Sequence, residues 1–453
     1  MKTRQFRKAD VQKTVEKYAD LMFDVFEYMR LNPELGWKEY KANERMIAEF
    51  EKLGYKVERP DGVTGFWTTI DTGKPGKTIA ILGELDSVIC AAHPDADPVT
   101  GAVHSCGHNM QSATLLGIAA ALTNKELLEG LSGKIKLIAV PAEEGCEVGY
   151  RAGLIKAGVL SFASGKQEFI KRGVFDDVDI AYMNHTGRGT DSIVTLNLGT
   201  NGVVRKSVTF EGVASHAGGS PEKGINALYA ANLALMAINS IRETFTEEEY
   251  IRIHPIITKG GDIVNTIPDD VRVESYVRGA TPDFIKKAND KVNRAIAGAA
   301  LSMGAKAKVV DIAGSMPRND SLALRDVFYN VSVELFGKEN VKVDDKWLPS
   351  STDMGDVTSI MPALHGYING AIGHGHGSDY RIPDAKGCCI KSATQQIRVM
   401  QELLKDDCAL AEKVIKETKV SFKDKEEYLA FLSTLMREFE TVEYVEGGAK
   451  VTL

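Results

Sequence analysis

Residues 78–85, TIAILGEL, form a short and almost continuous apolar run that is followed at once by Asp86. Such a run is typical of a β-strand covered on both faces, as the strands of a parallel sheet are. Two similar runs, KIKLIAV at 134–140 and VDIAYM at 178–183, alternate with segments of helical periodicity. The alternation predicts an α/β fold whose first domain carries a mixed, mostly parallel, doubly wound sheet.

Polar residues follow each of these three predicted strands. Asp86 comes after the first strand, Glu143 and Glu144 come after the second, and Asn184 and His185 come after the third. Sites in open α/β sheets lie outside the carboxyl ends of the strands. We therefore expect these side chains to converge at one edge of the sheet.

The segment GAVHSCGHNM at 101–110 places Cys106 and His108 directly before an apolar helix. Taken alone, Cys106 would more often be a small buried hydrophobic residue. Together with the strand-end glutamates and histidine, it completes a set of thiolate, imidazole and carboxylate ligands. That set suits Zn²⁺, Mn²⁺ or Co²⁺ better than Mg²⁺ or Ca²⁺. The sequence therefore predicts a metal site here.

The middle of the chain, 203–311, has a different pattern. A strand, a helix, two strands, a helix and a strand follow one another, which is the ferredoxin-like α+β order. We predict three parts: 1–200 as the first part of a catalytic domain, 201–314 as an inserted domain, and 315–453 as the second part of the catalytic domain.

Composition excludes several classes of function. The chain has 453 residues and a net charge of −7, and no run of Lys or Arg suggests binding to nucleic acid or to an anionic membrane. No apolar stretch is long enough to span a bilayer. The N-terminal residues 1–29 predict one amphipathic helix and no secretory leader. Six scattered cysteines fit a reducing compartment, so we expect a cytoplasmic protein.

A series of motifs resembles, in the same order, the aminoacylase–carboxypeptidase family of co-catalytic metallopeptidases. The match is to its amidohydrolase branch of hippurate and indole-acetyl-amino-acid hydrolases, and above all to the p-aminobenzoyl-glutamate hydrolase type, in particular the second of the two subunits of that enzyme. The resemblance covers residues 20–400. The motifs are NPELGWKE, GELD, HSCGHN, PAEEG, NHTG, ASHAGG, GINA, GGDIVNTIPDD, YVR and STDMGDV.

The resemblance implies two divalent metal ions per subunit, zinc or manganese or else cobalt, held by Cys106, His108, Glu144, His185 and His376. It also implies that Glu143 is the general base and that Asp86 orients the site. The two adjacent glutamates are expected to point in different directions from an irregular loop.

Two positions of this implied site need comment. His374 is an alternative to His376, which we favour because an acid and an aromatic follow it at the family's spacing. Glu84 stands where other branches carry a ligand histidine, so Cys106 would be the replacement ligand.

For the inserted domain, the resemblance implies a dimerisation (lid) domain. His216 would reach across the dimer interface into the partner's site, while Asn265 and Arg278 would bind substrate. A guanidinium such as that of Arg278 is a natural clamp for a substrate carboxylate. The implied partners are a small N-acyl amino acid and a second copy of the chain, with a heteromeric partner subunit as the alternative.

Three functions follow as hypotheses. The first is a metal-dependent amidohydrolase that cleaves N-acyl amino acids, especially N-aroyl ones such as p-aminobenzoyl-glutamate-like compounds. The second is a metal-dependent dipeptidase or aminopeptidase. The third is a catalytically inactive homologue that binds a ligand, against which the presence of Glu143, Asp86 and the implied ligands argues.

Overall fold

A computed structural model describes residues 8–189 and 191–453 of the chain. They form two compact units, each made from separate stretches of the chain. The first unit contains the described part of Met1–Gly199 together with Asn319–Trp347 and Asp356–Lys423. The second unit contains Thr200–Arg318, Leu348–Gly355 and Asp424–Leu453. Within the described ranges, no helix has both the length and the apolar composition needed to cross a lipid bilayer.

The strands, in chain order, are β1 (Phe66–Asp71), β2 (Thr78–Glu84), β3 (Val88–Ile89), β4 (Ala102–Val103), β5 (Lys134–Val140), β6 (Ile180–Arg188), β7 (Val194–Thr200), β8 (Gly202–Glu211), β9 (Arg252–Ile253), β10 (Ile256–Lys259), β11 (Asp270–Gly279), β12 (Lys306–Ala313), β13 (Arg318–Asn319), β14 (Val341–Leu348), β15 (Ala363–Ala371), β16 (Arg437–Glu440), β17 (Val442–Val445) and β18 (Gly448–Val451).

The α-helices are α1 (Lys8–Glu16), α2 (Ala19–Leu31), α3 (Tyr40–Lys52), α4 (His108–Leu122), α5 (Val148–Lys156), α6 (Gly165–Lys171), α7 (Ala227–Ile241), α8 (Pro282–Ser302), α9 (Leu322–Phe336), α10 (Met354–Thr358), α11 (Ala385–Leu404), α12 (Ala409–Glu417) and α13 (Lys425–Thr434).

The N-terminal helix differs from its prediction. Two helices, α1 and α2, stand where the periodicity predicts one, and residues 1–7 of that prediction lie outside the described residues. The predicted apolar stripe is nevertheless buried, from Val11 and Val15 on α1 to Met22 and Met29 on α2. The break between the helices lets each of them bury its own part of the stripe.

The first unit is built on a sheet of eight strands, ordered β1-β5-β2-β6-β15-β7-β13 with β14 beside β7. The four neighbours β5, β2, β6 and β15 run parallel, whereas β1 and β7 pair in antiparallel fashion. Every residue of β2 is buried, which agrees with the apolar run at 78–85. This mixed, mostly parallel sheet confirms the predicted fold class.

Helices cover both faces of this sheet. Adjacent residues of a strand point to opposite faces, and Phe66 and Trp67 of β1 illustrate this arrangement. The ring of Phe66 packs on Phe50 of α3 at 5.0 Å, and that of Trp67 packs on Phe169 of α6 at 6.1 Å. The sheet is therefore doubly wound, as predicted.

The carboxyl ends of β2, β5 and β6 lie at one edge of the sheet because these strands are parallel neighbours. One predicted boundary is wrong there. His185 does not follow a strand but lies within β6, which continues to Arg188. The extension has a physical cause, since β15 pairs with β6 along this stretch and places Tyr367 opposite His185.

The second unit contains the strands and helices predicted for 203–311, in the predicted order. Its sheet runs β10-β11-β8-β12-β16, with the short β9 beside β11, and all these pairs are antiparallel. The first four strands have the ferredoxin-like arrangement, and α7 and α8 pack together with them around a separate apolar core. The edge strand β16, from the C-terminal stretch, was not predicted.

Candidate metal centre

Cys106 and His108 reach the edge of the sheet through a turn that only glycine can make. Gly107 has φ +91°, and a Cβ there would lie 2.5 Å from the hydroxyl of Tyr380 and 2.6 Å from Oγ1 of Thr186. Helix α4 then begins at His108. The turn thus fixes the cysteine and the histidine on opposite sides of one left-handed residue.

The ring of His108 is held by Asp86 and faces three carboxylates. Its Nδ1 lies 2.9 Å from the backbone oxygen of Asp86 and 3.1 Å from Oδ1 of the same residue, so Nδ1 carries the proton that it donates. Its Nε2 lies 3.2 Å from Oε2 of Glu84 and 4.0 Å from carboxylate oxygens of Glu143 and Glu144. A nitrogen in this position requires a positive charge beside it, supplied by a proton or a metal cation.

Asp86 also fixes the loop that carries the two glutamates. Its Oδ2 accepts a hydrogen bond from the backbone N–H of Glu144 at 2.8 Å. The expectation that the adjacent glutamates point in different directions is wrong, because both approach Nε2 of His108. Ala142, just before them, has φ +54°, and this left-handed residue turns the chain so that both side chains face the same space.

Cys106 is common to two groups of possible ligands. Its sulfur lies 3.3 Å from Nε2 of His185, whose Nδ1 donates to the backbone oxygen of Thr186 at 2.9 Å. Ligand atoms within 4.8 Å of one another form two triads, which we call the first and second triads: Cys106 with His108 and His185, and Cys106 with Glu144 and His376. A thiolate shared by two triads is the geometry that a dinuclear site with a bridging sulfur requires.

The charges of the triads favour ionised ligands. Burial opposes ionisation of the Cys106 thiol, but the neighbouring His185 and His108 lower its pKa to about 6. Burial also opposes ionisation of Glu144, but the hydrogen bond and charge of His376 lower its pKa to about 2. Thiolate, imidazole and carboxylate donors of this kind fit a divalent transition metal or zinc.

The structure separates the two histidines of the GHGHGSDY segment. Nε2 of His376 lies 3.2 Å from Oε1 of Glu144, within the second triad. His374 is exposed over most of its surface, and its Nδ1 lies 3.0 Å from Oδ2 of Asp379. Of the two histidines, His376 is the one that lies among the other candidate ligands.

One part of the site was missed by the sequence reasoning. Glu84 and Lys166 form a fully buried ion pair, with 2.6 Å between Oε1 and the ammonium nitrogen. The other oxygen of Glu84 accepts a hydrogen bond from the Gln111 amide at 2.9 Å. The available signal was a glutamate inside an apolar strand, because a charge in such a strand needs a partner. Nothing in the sequence pattern identified Lys166 as that partner.

The three remaining predicted residues, His216, Asn265 and Arg278, lie in the second unit. The backbone N–H of Ala217 donates to the backbone oxygen of Asn265 at 2.9 Å, so His216 and Asn265 lie on adjacent segments, and both are exposed. Nδ1 of His216 accepts from the backbone N–H groups of Gly218 and Gly219 at 3.2 and 2.8 Å. The neutral ring therefore carries its proton on Nε2.

Arg278 lies on β11, away from that pair of segments in the sequence. Its Nη1 donates to the backbone oxygen of Pro349 at 3.3 Å, and its guanidinium lies 5.6 Å from the ring centroid of Tyr276. Burial lowers its pKa, although an arginine keeps its charge at neutral pH.

Residues 80–405 match the description Peptidase family M20/M25/M40. The chain belongs to this family. The matched range contains the residues of both triads, and it agrees with the resemblance that the motifs carry.

Curated relatives narrow the comparison. The chain is 31% identical over 260 residues to indole-3-acetyl-aspartic acid hydrolase of Enterobacter agglomerans, which covers 55% of each chain. It is 31% identical over 255 residues to one of the two subunits of p-aminobenzoyl-glutamate hydrolase of Escherichia coli, covering 54% of each. For the other subunit of that enzyme, the identity is 29% over 298 residues, covering 63% of this chain and 56% of the relative. The chain thus spans about half the length of these curated relatives.

Solved structures support the fold. A putative aminohydrolase from methicillin-resistant Staphylococcus aureus superposes with a TM-score of 0.71 at 22% identity, covering 88% of this chain and all of that one. A dinuclear metal-binding peptidase of the M20 family from Bacillus subtilis superposes with a TM-score of 0.64 at 17% identity, covering 86% and 99%. At these identities the likeness concerns the fold.

Proposed function

We propose that the protein is a metal-dependent amidohydrolase that cleaves the amide bond of N-acyl amino acids, in particular N-aroyl ones. The observation that carries the proposal is the pair of triads sharing Cys106, with the carboxylate of Glu143 4.0 Å from Nε2 of His108. Family membership and the names of the curated relatives support the same reaction class.

The ligands in this proposal are Cys106, His108, Glu144, His185 and His376, which would hold two divalent cations. Zinc or manganese, or else cobalt, fits their donors. Bound there, such cations polarise the scissile carbonyl and lower the pKa of a bound water toward about 7. Asp86 keeps His108 in the tautomer whose Nε2 is available as a ligand.

Glu143 belongs to neither triad that contains Cys106. We assign it the role of general base, which removes a proton from the attacking water and returns it to the leaving amine. Its neighbour Glu144 is fixed by Asp86 and His376 and serves as a ligand. The loop thus separates proton transfer from ligation in two adjacent carboxylates.

Substrate binding is assigned to the second unit. Arg278 would bind the amino-acid carboxylate, because a guanidinium donates two parallel hydrogen bonds to it. Asn265 would bind the substrate beside it. His216, whose Nε2–H is not used by its own turn, would donate to the oxygen that becomes negative as water adds to the amide.

We further propose that residues 201–314 form a dimerisation domain and that the protein works in the cytoplasm. Exposed apolar side chains support the first proposal: Tyr229 and Met236 on α7, and Ile256 on the edge strand β10. An exposed edge strand is a template for pairing with another chain. A second copy would give a homodimer. A related chain would instead give a heteromer, as the naming of two separate subunits for p-aminobenzoyl-glutamate hydrolase denotes for that relative.

The experiment that tests this function is a hydrolysis panel with chelated protein, before and after addition of Zn²⁺, Mn²⁺ or Co²⁺. The panel contains p-aminobenzoyl-glutamate, hippurate, an indole-acetyl amino acid, N-acetyl amino acids and dipeptides. We expect metal-restored cleavage of an N-acyl amino acid. Cleavage of dipeptides alone would favour the dipeptidase alternative, and stoichiometric metal binding without turnover would favour a binding homologue or a missing partner chain.

A further inference from the structure

The segment NPELGWKE, residues 32–39, has no role in the proposed reaction, yet it encloses the loop that carries Glu143. It ends at Glu39, whose side chain has no exposed surface. One oxygen of Glu39 accepts a hydrogen bond from the backbone N–H of Ala142 at 2.8 Å, and the other accepts from the hydroxyl of Thr64 at 2.6 Å. A buried carboxylate therefore binds the peptide directly before the candidate general base.

Arg151 of α5 holds the same loop through its carbonyl groups. Its guanidinium donates to the backbone oxygens of Ala142 at 3.3 Å and of Ala163 at 2.9 Å, and it also donates to the backbone oxygen of Glu144. The Arg151 side chain is fully buried. The N–H of Ala142 is thus bound by a carboxylate and its C=O by a guanidinium.

Gly36 shows how closely the segment approaches the loop. A Cβ at Gly36 would lie 2.4 Å from Nη2 of Arg151 and 2.9 Å from the Cα of Ala142. No other residue type fits here without displacing the arginine or the loop backbone. The glycine of NPELGWKE is therefore a packing requirement of the loop that carries Glu143 and Glu144.

The loop needs such support because of its own backbone. Ala142 is left-handed, with φ +54°, a conformation that an L-residue adopts only when its surroundings enforce it. Releasing Ala142 to an ordinary conformation would rotate the peptide that leads into Glu143. The direction of the Glu143 and Glu144 side chains therefore depends on what holds Ala142.

We infer that Glu39 is a positioning residue for the candidate general base: its carboxylate holds the left-handed Ala142 peptide and so directs Glu143 and Glu144 toward His108. The inference rests on the proposed function for its catalytic consequence. The cradle itself, meaning the hydrogen bonds from Glu39 and Arg151 to Ala142, can be tested without turnover.

The test compares Glu39→Met, which keeps the size of the side chain without a strong acceptor, with Glu39→Gln, which keeps an oxygen for the Ala142 N–H. The control is Glu34→Ala, because Glu34 lies in the same segment and accepts N–H groups of Lys41 and Ala42 at the start of α3, not of the loop. The readouts are kcat and KM, bound metal per chain, and amide exchange of residues 140–145.

We expect Glu39→Met to lower kcat about 10- to 100-fold, because small displacements of catalytic groups have effects of that size. KM and bound metal should stay near wild type and exchange at 140–145 should rise, while Glu39→Gln and Glu34→Ala should behave like wild type. Unchanged kcat in Glu39→Met, or a Gln variant as impaired as the Met variant, would overturn the positioning role.

Two further outcomes keep the proposals apart. If the wild type shows no metal-dependent turnover, the proposed function fails, and exchange at 140–145 still decides whether the cradle exists. If Glu39→Met does not fold, Gly36→Ala crowds the same peptide from the other side and should lower kcat in the same way. Wild-type kcat in Gly36→Ala would then count against the inference.

Discussion

Glu84 and Lys166 form an ion pair with both side chains fully buried, directly beside the candidate metal centre. Burial alone would raise the pKa of Glu84, but the charges of Lys166 and His108 hold it well below its usual range. The lysine therefore compensates one of the three carboxylates that surround Nε2 of His108. The site gathers negative ligands without leaving Glu84 as an uncompensated charge.

Breaking this pair should destabilise the first unit. Lys166→Met leaves the Glu84 carboxylate buried and unpaired, which is expected to reduce the unfolding free energy of the chelated protein by about 3–5 kcal/mol. Urea unfolding measures the change. Lys286→Met, on an exposed pair with Asp290, is the control and should change stability by less than about 1 kcal/mol. Equal losses from the two variants would contradict the expectation.

Removal of Cys106 should affect both cations, because the first and second triads share its sulfur. In Cys106→Ala we expect bound metal to fall from two ions per chain to fewer than one, with loss of hydrolysis. Elemental analysis after dialysis against Zn²⁺ or Mn²⁺ measures the content. Cys408→Ala changes a buried thiol outside the triads and should retain both ions. A Cys106→Ala protein with two ions would show that the sulfur bridges nothing.

Arg278→Ala should raise KM for substrates with a free carboxylate, because two charge-assisted hydrogen bonds are lost. The expected increase is about 10- to 100-fold, with little effect on kcat. The matched control is Arg252→Ala, since Arg252 lies opposite Arg278 on β9. Kinetics with an N-acyl amino acid and its carboxamide separate the roles. The same KM for wild type and Arg278→Ala would exclude this arginine as the clamp.

If His216 acts in the site of a second copy, two inactive variants should complement each other. His216→Ala and Glu143→Ala homodimers are each expected to lack activity. After the chains are exchanged between dimers, mixed dimers contain one site with both residues, which predicts about a quarter of wild-type activity in an equal mixture. Activity that stays at the level of the separate variants, in mixtures whose exchange is verified by mass, would place His216 outside the partner's site.

The buried Glu39 should make stability depend on pH. Burial, and next the charge of Asp86, raise its pKa from 4.5 to about 7. The folded protein therefore retains a proton that the unfolded chain releases, so stability is lost as pH rises from about 4.5 to 7. Relative to Glu39→Gln, the wild type should lose up to about 3 kcal/mol over this range. Chemical unfolding at pH 4.5, 6 and 7.5 measures it, and a constant difference would refute the shift.

Strand patterning predicted much of the site because it acts over short stretches of chain. The apolar runs located β2 and β5, and the rule for strand ends brought Asp86, Glu143 and Glu144 together. The bounds of β6 were predicted less well, since its last residues are strand only through pairing with β15. Such pairing depends on residues almost two hundred positions away.

The supporting contacts were not predictable in this way. Glu39 binds a backbone N–H, and Arg151 binds backbone oxygens, so no complementary side chain marks either contact in the sequence. The orientation of the two glutamates failed for a related reason. It depends on a left-handed alanine, and nothing in the residue type of Ala142 indicates that conformation.

The shared sulfur also sets an order in which the site can be completed during synthesis. The residues of the first triad lie within 80 positions of one another, whereas His376 of the second lies 270 positions after Cys106. A nascent chain can therefore assemble one half of the centre before the whole inserted segment has left the ribosome. The other half must wait until most of the protein has been made, so premature termination anywhere before His376 would leave at most a mononuclear product.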